Sequence, residues 1–301
     1  MELLLLLLLL LTGMFLSPAS CSSNYKYYCD WCPRHATASL AAADINASIL
    51  VLITNRAVVP SETEAAGTCG YGGAMYMELP NGGHPAAATA DFFRAGAGCG
   101  ACYQLRCRDR RLCGDEGVRI VVTDAAKEET NRTGFVLTRK AFTAMARHGM
   151  SDQLATMDNV RVDFRRVPCE YKKNLAVRVE QGSRTTRQQL LAIRFLYQGG
   201  QTDIAAVEIA QGGSAAASSS WRSMARQSKH GVWRTARAPD GPLQLRLVVT
   251  AGSGGKWRRT SLPADWRPGG VYDTGLQITD VAVRTCSRSC RSGDDDEDEL
   301  R

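Results

Sequence analysis

The sequence predicts a mainly β protein with two domains, a small disulfide-stapled β-barrel with one attached helix and then an antiparallel β-sandwich. Three observations predict this class. Eight of the eleven cysteines fall between Cys29 and Cys169, apolar residues recur with the period of two that half-buried strands show, and Gly-rich segments separate these patterns. With 301 residues, 44% of them hydrophobic, the chain is long enough to form two cores.

The first domain, residues 24–170, combines Gly-rich loops with short strand patterns, which are clearest at residues 118–123 and 160–164. One helix is predicted at residues 138–147, where apolar side chains recur at helical spacing. This apolar stripe consists of Ala141, Phe142, Met145 and Ala146. The pattern indicates a small barrel that disulfides hold together, with the helix attached to it.

The second domain, residues 175–285, carries five segments in which apolar and polar residues alternate. They are residues 175–179, 191–196, 204–209, 243–249 and 276–281. Turn-rich segments between them favour an antiparallel sandwich of about 100 residues. Because the junction at residues 166–171 is short, we expect the two domains to contact each other rather than to swing on a tether.

The start of the chain predicts export. Residues 1–22 combine an apolar block with a small polar run, which is typical of a secretory signal peptide, although Glu2 stands where a basic residue is usual. No later stretch reaches the ~18 apolar residues of a membrane span. Cleavage after Cys21 would leave ten cysteines, an even number that suits disulfides in an oxidising compartment, whereas earlier cleavage would leave a free thiol.

The charge is distributed unevenly along the chain. Residues 286–301 form an acidic tail that is predicted to be disordered, and residues 294–299 are all Asp or Glu. Without these six acids, 24 acidic residues remain against 37 basic ones, a net charge of +13. A basic secreted protein suits an acidic extracellular polysaccharide better than nucleic acid, and the alternative is simply a basic, soluble surface.

An apolar segment at residues 44–60 lacks cysteine and glycine and lies between two cysteine-bearing stretches. It is too short to span a bilayer. Three interpretations stay open, namely an additional strand, an insertion that the domain tolerates as a loop, and a retained intron or gene-model error. Sequencing the transcript across this segment distinguishes the last interpretation from the other two.

Five motifs point to a family. They are Gly-Thr-Cys-Gly-Tyr-Gly at residues 67–72, Gly-Ala-Gly-Cys-Gly-Ala-Cys at 96–102, Val-Val-Thr-Asp at 121–124, Val-Pro-Cys at 167–169 and Leu-Tyr-Gln-Gly-Gly-Gln-Thr at 196–202. With these motifs the chain resembles the plant expansin superfamily, above all its expansin-like A branch. The resemblance implies a double-psi β-barrel related to family-45 endoglucanases, an immunoglobulin-like carbohydrate-binding sandwich, and a protein that loosens or binds cell walls without hydrolysis.

The spacing of the cysteines leaves their connectivity open. The resemblance implies the pairs Cys69 with Cys99, Cys102 with Cys169, Cys107 with Cys113, and the local pairs Cys29 with Cys32 and Cys286 with Cys290. A Cys-x-x-Cys motif also occurs in zinc half-sites and redox centres, but neither a second half-site nor a thioredoxin-like pattern accompanies it here. We therefore predict structural disulfides and neither a metal nor a cofactor.

The resemblance places Tyr71 and Asp124 in a polysaccharide groove on the barrel. Glycoside hydrolysis ordinarily needs two carboxyl groups, and Val136 stands where the family carries its second acid. The protein is therefore predicted to bind polysaccharide without cleaving it. Other interpretations stay open: Tyr71 as a packed barrel residue, Asp124 as a turn cap, and a weak endoglucanase or lytic transglycosylase that uses Asp124 together with an unlocated acid.

A carbohydrate-binding platform on the sandwich is predicted from Trp221, His230 and Trp233, whose rings would stack on the C–H faces of sugars. Leu190 occupies the position of another platform aromatic, so the predicted platform is reduced. Core packing is the alternative for both tryptophans, since a sandwich of this size also needs large apolar side chains inside.

Other side chains complete the predicted surface. Trp257 and Trp266 are expected to pack in the core. Arginines bind carboxylates through two parallel hydrogen bonds, and four of them could contact uronic acids: Arg234, Arg237, Arg258 and Arg259. Two sequons, at Asn46 and at Asn131, predict N-glycosylation.

These patterns together predict a secreted, monomeric protein of the extracellular cell wall. Its expected partners are cellulose, xyloglucan or pectin. Binding to nucleic acid and insertion into a membrane are not expected. A barwin-type defence or signalling protein would share the barrel, but the second domain disfavours it.

Overall fold

Six strands from the first part of the chain close into a barrel. They are β1 (Arg34–Leu40), β2 (His84–Ala88), β3 (Cys102–Cys107), β4 (Val118–Ala125), β5 (Gly134–Leu137) and β6 (Asn159–Val167). Their order around the barrel is β1-β5-β2-β4-β3-β6. The pairs β1/β5 and β2/β4 are parallel, and the other neighbours are antiparallel.

The structure is a computed structural model, and the residues it describes are 34–41, 67–71, 83–126, 134–183, 190–199, 202–212, 220–227, 231–236, 238–239, 241–251 and 254–278. Every described element belongs to one unit, Pro33–Thr285. The predicted signal peptide, the apolar segment at 44–60 and the acidic tail lie outside the described residues.

The two strand patterns predicted in the barrel are confirmed as parts of β4 and β6. Residues 120–122 of β4 are all fully buried rather than alternately buried, and two loops pair with the backbone near the end of this strand. The Gly100 amide donates to the Val122 carbonyl (2.8 Å) and the Cys69 amide to the Thr123 carbonyl (3.2 Å). The cysteine-bearing loops therefore extend the hydrogen-bonded pairing of β4.

Three short helices accompany the barrel: α1 (Ala90–Phe93), which runs into a 3₁₀ turn at Arg94–Gly96, α2 (Arg139–Thr143) and α3 (Ser151–Ala155). The helix predicted at residues 138–147 is shorter than expected. It begins as predicted, because the Thr138 hydroxyl caps it by accepting from the Ala141 amide (3.3 Å). It ends early because the Arg147 amide donates to the Leu112 carbonyl (2.8 Å), so the chain pairs with a loop instead of continuing the helix.

Nine strands form the second part of the described chain. They are β7 (Ala176–Val179), β8 (Leu191–Leu196), β9 (Ile204–Gln211), β10 (Arg222–Ser223), β11 (Ala225–Gln227), β12 (Val232–Thr235), β13 (Leu243–Ala251), β14 (Gly254–Leu262) and β15 (Val271–Asp273). They make two antiparallel sheets, ordered β10-β9-β13-β14 and β11-β12-β8-β7-β15. Apolar side chains from both sheets share one core, as in a β-sandwich.

Four of the five strands predicted in this domain are confirmed as β7, β8, β9 and β13. The fifth, residues 276–281, is not formed in its described part. There the Leu276 carbonyl accepts from the Leu175 amide (2.8 Å), and Ile278 is buried in the core. Leu276 and Ile278 therefore pack against the sandwich core without forming a strand.

The barrel and the sandwich contact each other within this unit, as the short junction predicts. The buried Arg194 on β8 donates to the Thr68 carbonyl (2.5 Å) and pairs with Glu180 (3.0 Å). Gly70 has a φ of 75°, and a Cβ at this position would lie 2.9 Å from the Arg194 side chain. Glycine is therefore required where the barrel loop meets the sandwich.

A second contact centres on Asp203, which precedes β9. Arg94 donates to its Oδ2 (2.6 Å), and Arg166 donates to its Oδ1 (2.8 Å). Burial alone would raise the pKa of Asp203, but the hydrogen bond from Arg94 and the charge of Arg166 outweigh it and lower this pKa to about 2. The carboxylate thus stays ionised between two barrel arginines.

Candidate functional site

Asp124 lies near the end of β4 in one row with Ala87 on β2 and Val136 on β5. A register shift between Ala86 and Ala87 sets this alignment. All three side chains of the row are half-buried. Since neighbouring strands lie about 4.8 Å apart, the Cα atoms of Asp124 and Val136 are about 10 Å apart.

Val136 lies in the same row as Asp124, two strands away from it. Carboxyl groups of inverting glycosidases lie about 6.5–9.5 Å apart, a separation that side chains from these two strands would reach. A valine side chain neither donates a proton to a glycosidic oxygen nor activates water. The row consequently offers one carboxylate and two apolar side chains.

The Asp124 carboxylate is held by the loop at residues 67–71. Its Oδ1 accepts from the Thr68 amide (2.9 Å), from the Thr68 hydroxyl and from the Ala125 amide (2.8 Å). This arrangement matches the turn-capping alternative, because the side chain closes the loop onto the end of its own strand. Asp124 is thus oriented by the protein, and its side chain is half-buried.

Tyr71 does not line a groove, so its predicted contact with polysaccharide is wrong. Its side chain is 1% exposed, and burial raises the pKa of its hydroxyl. The ring packs edge-on against Tyr197, with ring centroids 6.5 Å apart, and Tyr197 packs edge-on against Tyr171 at 5.5 Å. Tyr71 therefore belongs to an aromatic cluster in the core, which is the packed alternative.

Trp233 does not belong to an exposed platform either. It lies on β12 opposite Ile193, a fully buried residue, and is itself only 6% exposed. The register thus turns the indole into the sandwich core, where the Arg226 guanidinium lies 4.7 Å from the ring centroid. The predicted platform role of Trp233 is wrong for this reason.

Trp221 lies on the other sheet, together with a tryptophan that was expected to pack. Trp257 on β14 is 50% exposed, so its predicted place in the core is wrong, whereas Trp266 is buried as predicted. The Arg246 guanidinium lies 4.6 Å from the Trp221 ring centroid and 4.5 Å from that of Trp257. The structure thus separates Trp221 from Trp233 and brings Trp221 near Trp257.

Three disulfides staple the barrel as predicted: Cys69–Cys99, Cys102–Cys169 and Cys107–Cys113. The first joins the loop that Asp124 holds to the turn after α1. The second joins the start of β3 to the junction between the domains. Of the three bonds, Cys69–Cys99 is the one that ties down the loop contacting Asp124.

Several predicted residues lie outside the described part of the chain: His230, Asn46, Asn131, Cys29, Cys32, Cys286 and Cys290. Within the described part, no group of three or more His, Cys, Asp or Glu side chains is placed to hold a metal ion. The helices described are all too short or too polar to cross a bilayer.

Two family models match the two parts of the chain. A model described as the expansin C-terminal domain matches residues 175–261, and a double-psi β-barrel model described as lytic transglycolase matches residues 85–162. Expansin-like A4 of Oryza sativa subsp. japonica is 54% identical over 91% of this chain and 89% of its own length. Expansin-like A1 of Arabidopsis thaliana is 40% identical over 82% of this chain and 92% of its own length.

This chain belongs to the expansin superfamily, in its expansin-like A branch. Its fold is also that of solved expansins. The crystal structure of the Clavibacter michiganensis expansin matches with a TM-score of 0.55 and 20% identity, covering 81% of this chain and 96% of that one. A mutant of that expansin in complex with cellohexaose matches equally well, with a TM-score of 0.55 and 19% identity. The predicted combination of double-psi barrel and sandwich is confirmed.

In this expansin-like chain, sequence reasoning missed the exposed Trp257. The signal was present in the spacing along β14. Trp257 alternates with Arg259 and Ser261, which face outward, whereas the core residue Leu262 has the opposite parity. Counting from Leu262 would have placed Trp257 on the surface.

Proposed function

We propose that this expansin-like protein binds cell-wall polysaccharide non-covalently and modifies the wall without hydrolysis. The observation that carries the proposal is the row Asp124, Ala87 and Val136, in which a single carboxylate stands where a hydrolase needs two. One partner class follows, namely the long polysaccharides cellulose, xyloglucan or pectin.

The chemistry of the row favours binding over cleavage. A general acid typically raises the rate of such a reaction by about 10²–10⁴-fold. Val136, at the second position of the row, cannot supply this contribution. Asp124 is capable of accepting hydrogen bonds from sugar hydroxyls while its Oδ1 stays held by the Thr68 amide (2.9 Å). An oriented acceptor beside small apolar side chains is suited to positioning a sugar chain.

The comparisons support the choice of ligand. The solved Clavibacter michiganensis expansin was crystallised as a mutant in complex with cellohexaose, a glucan fragment. The expansin-like A relatives cover both parts of the chain, so barrel and sandwich are retained together. A ligand that runs along the barrel would then be able to continue onto the sandwich.

The experiment is a sedimentation assay of the purified protein with cellulose, xyloglucan and pectin. We expect retention on at least one of them. Asp124→Asn, which keeps the shape of the side chain and removes its charge, should weaken retention on that ligand, whereas the matched variant Asp265→Asn on an exposed turn should not. Absence of retention on all three polysaccharides would contradict the proposal.

A second candidate function is a weak endoglucanase or lytic transglycosylase that uses Asp124. One observation favours it, namely the match of residues 85–162 to a model described as lytic transglycolase. A transglycosylase releases fragments without adding water, so mass spectrometry of soluble fragments detects a reaction that a reducing-end assay would miss. Fragments released by the wild type and absent with Asp124→Asn would establish this alternative.

The remaining parts of the proposal concern the setting in which the protein works. We assign residues 1–22 to a signal peptide, residues 24–170 and 175–285 to the two domains, and residues 286–301 to an acidic tail. The protein is then a secreted, glycosylated monomer of the cell wall. N-terminal sequencing, glycosidase treatment and size-exclusion chromatography of the secreted protein test these assignments.

A further inference from the structure

The outer face of the sheet β10-β9-β13-β14 carries an unusual group of side chains. We call it the arginine–tryptophan face, and its members are Trp221, Arg246, Trp257 and Arg259. The register explains why they meet. Arg246 on β13 pairs directly with Arg259 on β14, and Trp257 comes two residues before Arg259 on the same side of that strand.

Small residues on β9 leave room for these large groups. Ala206 lies opposite Val248, and Ala210 lies opposite Gln244, so the two alanines flank Glu208 on the outer side of β9. The Arg246 guanidinium lies between the two indoles, 4.6 Å from the Trp221 ring centroid and 4.5 Å from that of Trp257. Such stacking orders both rings. The result is a preformed aromatic surface.

The face is also positively charged. Its described outer rows contain two arginines and a single acid, Glu208, which accepts a hydrogen bond from Arg246 (2.5 Å). Arg259 lies 5.9 Å from the Trp221 ring centroid and, among the described residues, has no carboxylate within ion-pair distance. It is exposed. A guanidinium group next to an exposed indole is thus available to a ligand.

We propose that the arginine–tryptophan face binds an acidic, uronate-containing polysaccharide. A uronate residue presents an apolar C–H face, which fits the exposed indole of Trp257, and a carboxylate, which fits the fork of Arg259. A neutral glucan would leave the Arg259 charge without a partner. This inference rests on the proposed function, because it names the polysaccharide class and the surface that selects it.

This surface differs from the platform that the sequence predicted. Trp233 belongs to β12, in the five-stranded sheet, and is buried there. The arginine–tryptophan face lies on the four-stranded sheet and contains Trp221, the other tryptophan of the predicted platform. Substitutions in this face should therefore weaken binding there without affecting binding along the barrel row around Asp124.

The test measures binding of the full secreted protein to polygalacturonate and to cellulose. The variants are Arg259→Gln and Trp257→Ala. The matched control is Arg258→Gln, which removes the same charge from the adjacent position, on the side of β14 that pairs with Leu247. We expect Arg259→Gln and Trp257→Ala each to weaken polygalacturonate binding roughly tenfold, and Arg258→Gln about twofold or less through long-range charge.

Cellulose binding and thermal unfolding serve as the second readouts. Arg259→Gln should leave cellulose binding and the unfolding temperature unchanged, since the side chain is exposed. Equal losses with Arg259→Gln and Arg258→Gln would overturn the proposal, because they indicate diffuse charge rather than a site. Unchanged polygalacturonate binding by Trp257→Ala would also overturn it. With xyloglucan as a third sample, retention on cellulose or xyloglucan without retention on polygalacturonate defeats this inference alone, whereas retention on none of the three defeats the proposed function as well.

Discussion

Replacing Asp203 by asparagine tests the contact between the barrel and the sandwich. The carboxylate accepts hydrogen bonds from Arg94 (2.6 Å) and Arg166 (2.8 Å), and only 19% of the side chain is exposed. Asparagine keeps the shape of the side chain and removes the anion that both guanidinium groups contact. The variant therefore weakens one specific link between the two parts of the chain.

The pKa of Asp203 gives the size of this effect. A pKa lowered from 3.8 to about 2 corresponds to about 2 kcal/mol of stability at neutral pH. Because the pKa is lower in the folded state, this contribution is fully present above the unfolded value. It is lost as the pH falls from about 4 to about 2.

Urea denaturation followed by tryptophan fluorescence measures the free energy of unfolding. At pH 7 we expect Asp203→Asn to be about 2 kcal/mol less stable than the wild type, and the difference should shrink between pH 4 and pH 2. The matched control Asp265→Asn, on an exposed turn, should match the wild type throughout. A loss below about 0.5 kcal/mol at pH 7, or a difference that does not depend on pH, would refute the reasoning.

Three further predictions concern the core, the loop at Asp124 and the disulfides. Trp233→Ala should lower the free energy of unfolding by about 3–5 kcal/mol, because the indole is buried. Trp257→Ala should lower it by less than about 1 kcal/mol, because that indole is half-exposed. Similar losses for the two variants in urea denaturation would contradict the different burial of the two rings. Asp124→Asn and Thr68→Val should each lower the free energy of unfolding by about 1 kcal/mol. The double variant should lose little more than either single variant, since both remove the same hydrogen bond between Thr68 and Asp124. Fully additive losses would contradict that shared hydrogen bond. Peptide mapping without reduction should recover the three described pairs, and a free thiol among those six cysteines would disprove the assignment.

Most strands of this protein are predictable because their signal is local. The segments that became β7, β8, β9 and β13 alternate apolar and polar residues, and each forms a strand. The strand β14 was missed because Lys256, Trp257 and Arg258 give it no apolar alternation, and only its pairing with β13 defines it. The predicted helix at 138–147 was too long because the Arg147 amide donates to the Leu112 carbonyl instead of to the preceding helical turn, and no local pattern reveals such a partner.

The sequence predicted the positions of those site residues that belong to a recognisable motif. It did not predict which aromatic side chains are exposed, because packing between distant parts of the chain decides this. The motif ending in Asp124 and the absence of an acid at Val136 are readable from the sequence, and the register of β4, β2 and β5 places both in one row. The burial of Tyr71 and Trp233 was not readable. It depends on the aromatic cluster around Tyr197 and on the register of β12 against β8, which are contacts between distant parts of the chain.

The central claim is that this expansin-like protein binds polysaccharide through a row that lacks a second acid and therefore does not hydrolyse it. The most direct measurement determines bound protein and reducing ends in the same samples of amorphous cellulose, xyloglucan and mixed-linkage glucan, with wild type and Asp124→Asn in parallel. The account predicts that the wild-type protein binds. It also predicts that the amount of reducing ends stays no higher than in a blank without protein, for the wild type and for Asp124→Asn. Time-dependent release of reducing ends by the wild type that disappears with Asp124→Asn would contradict it.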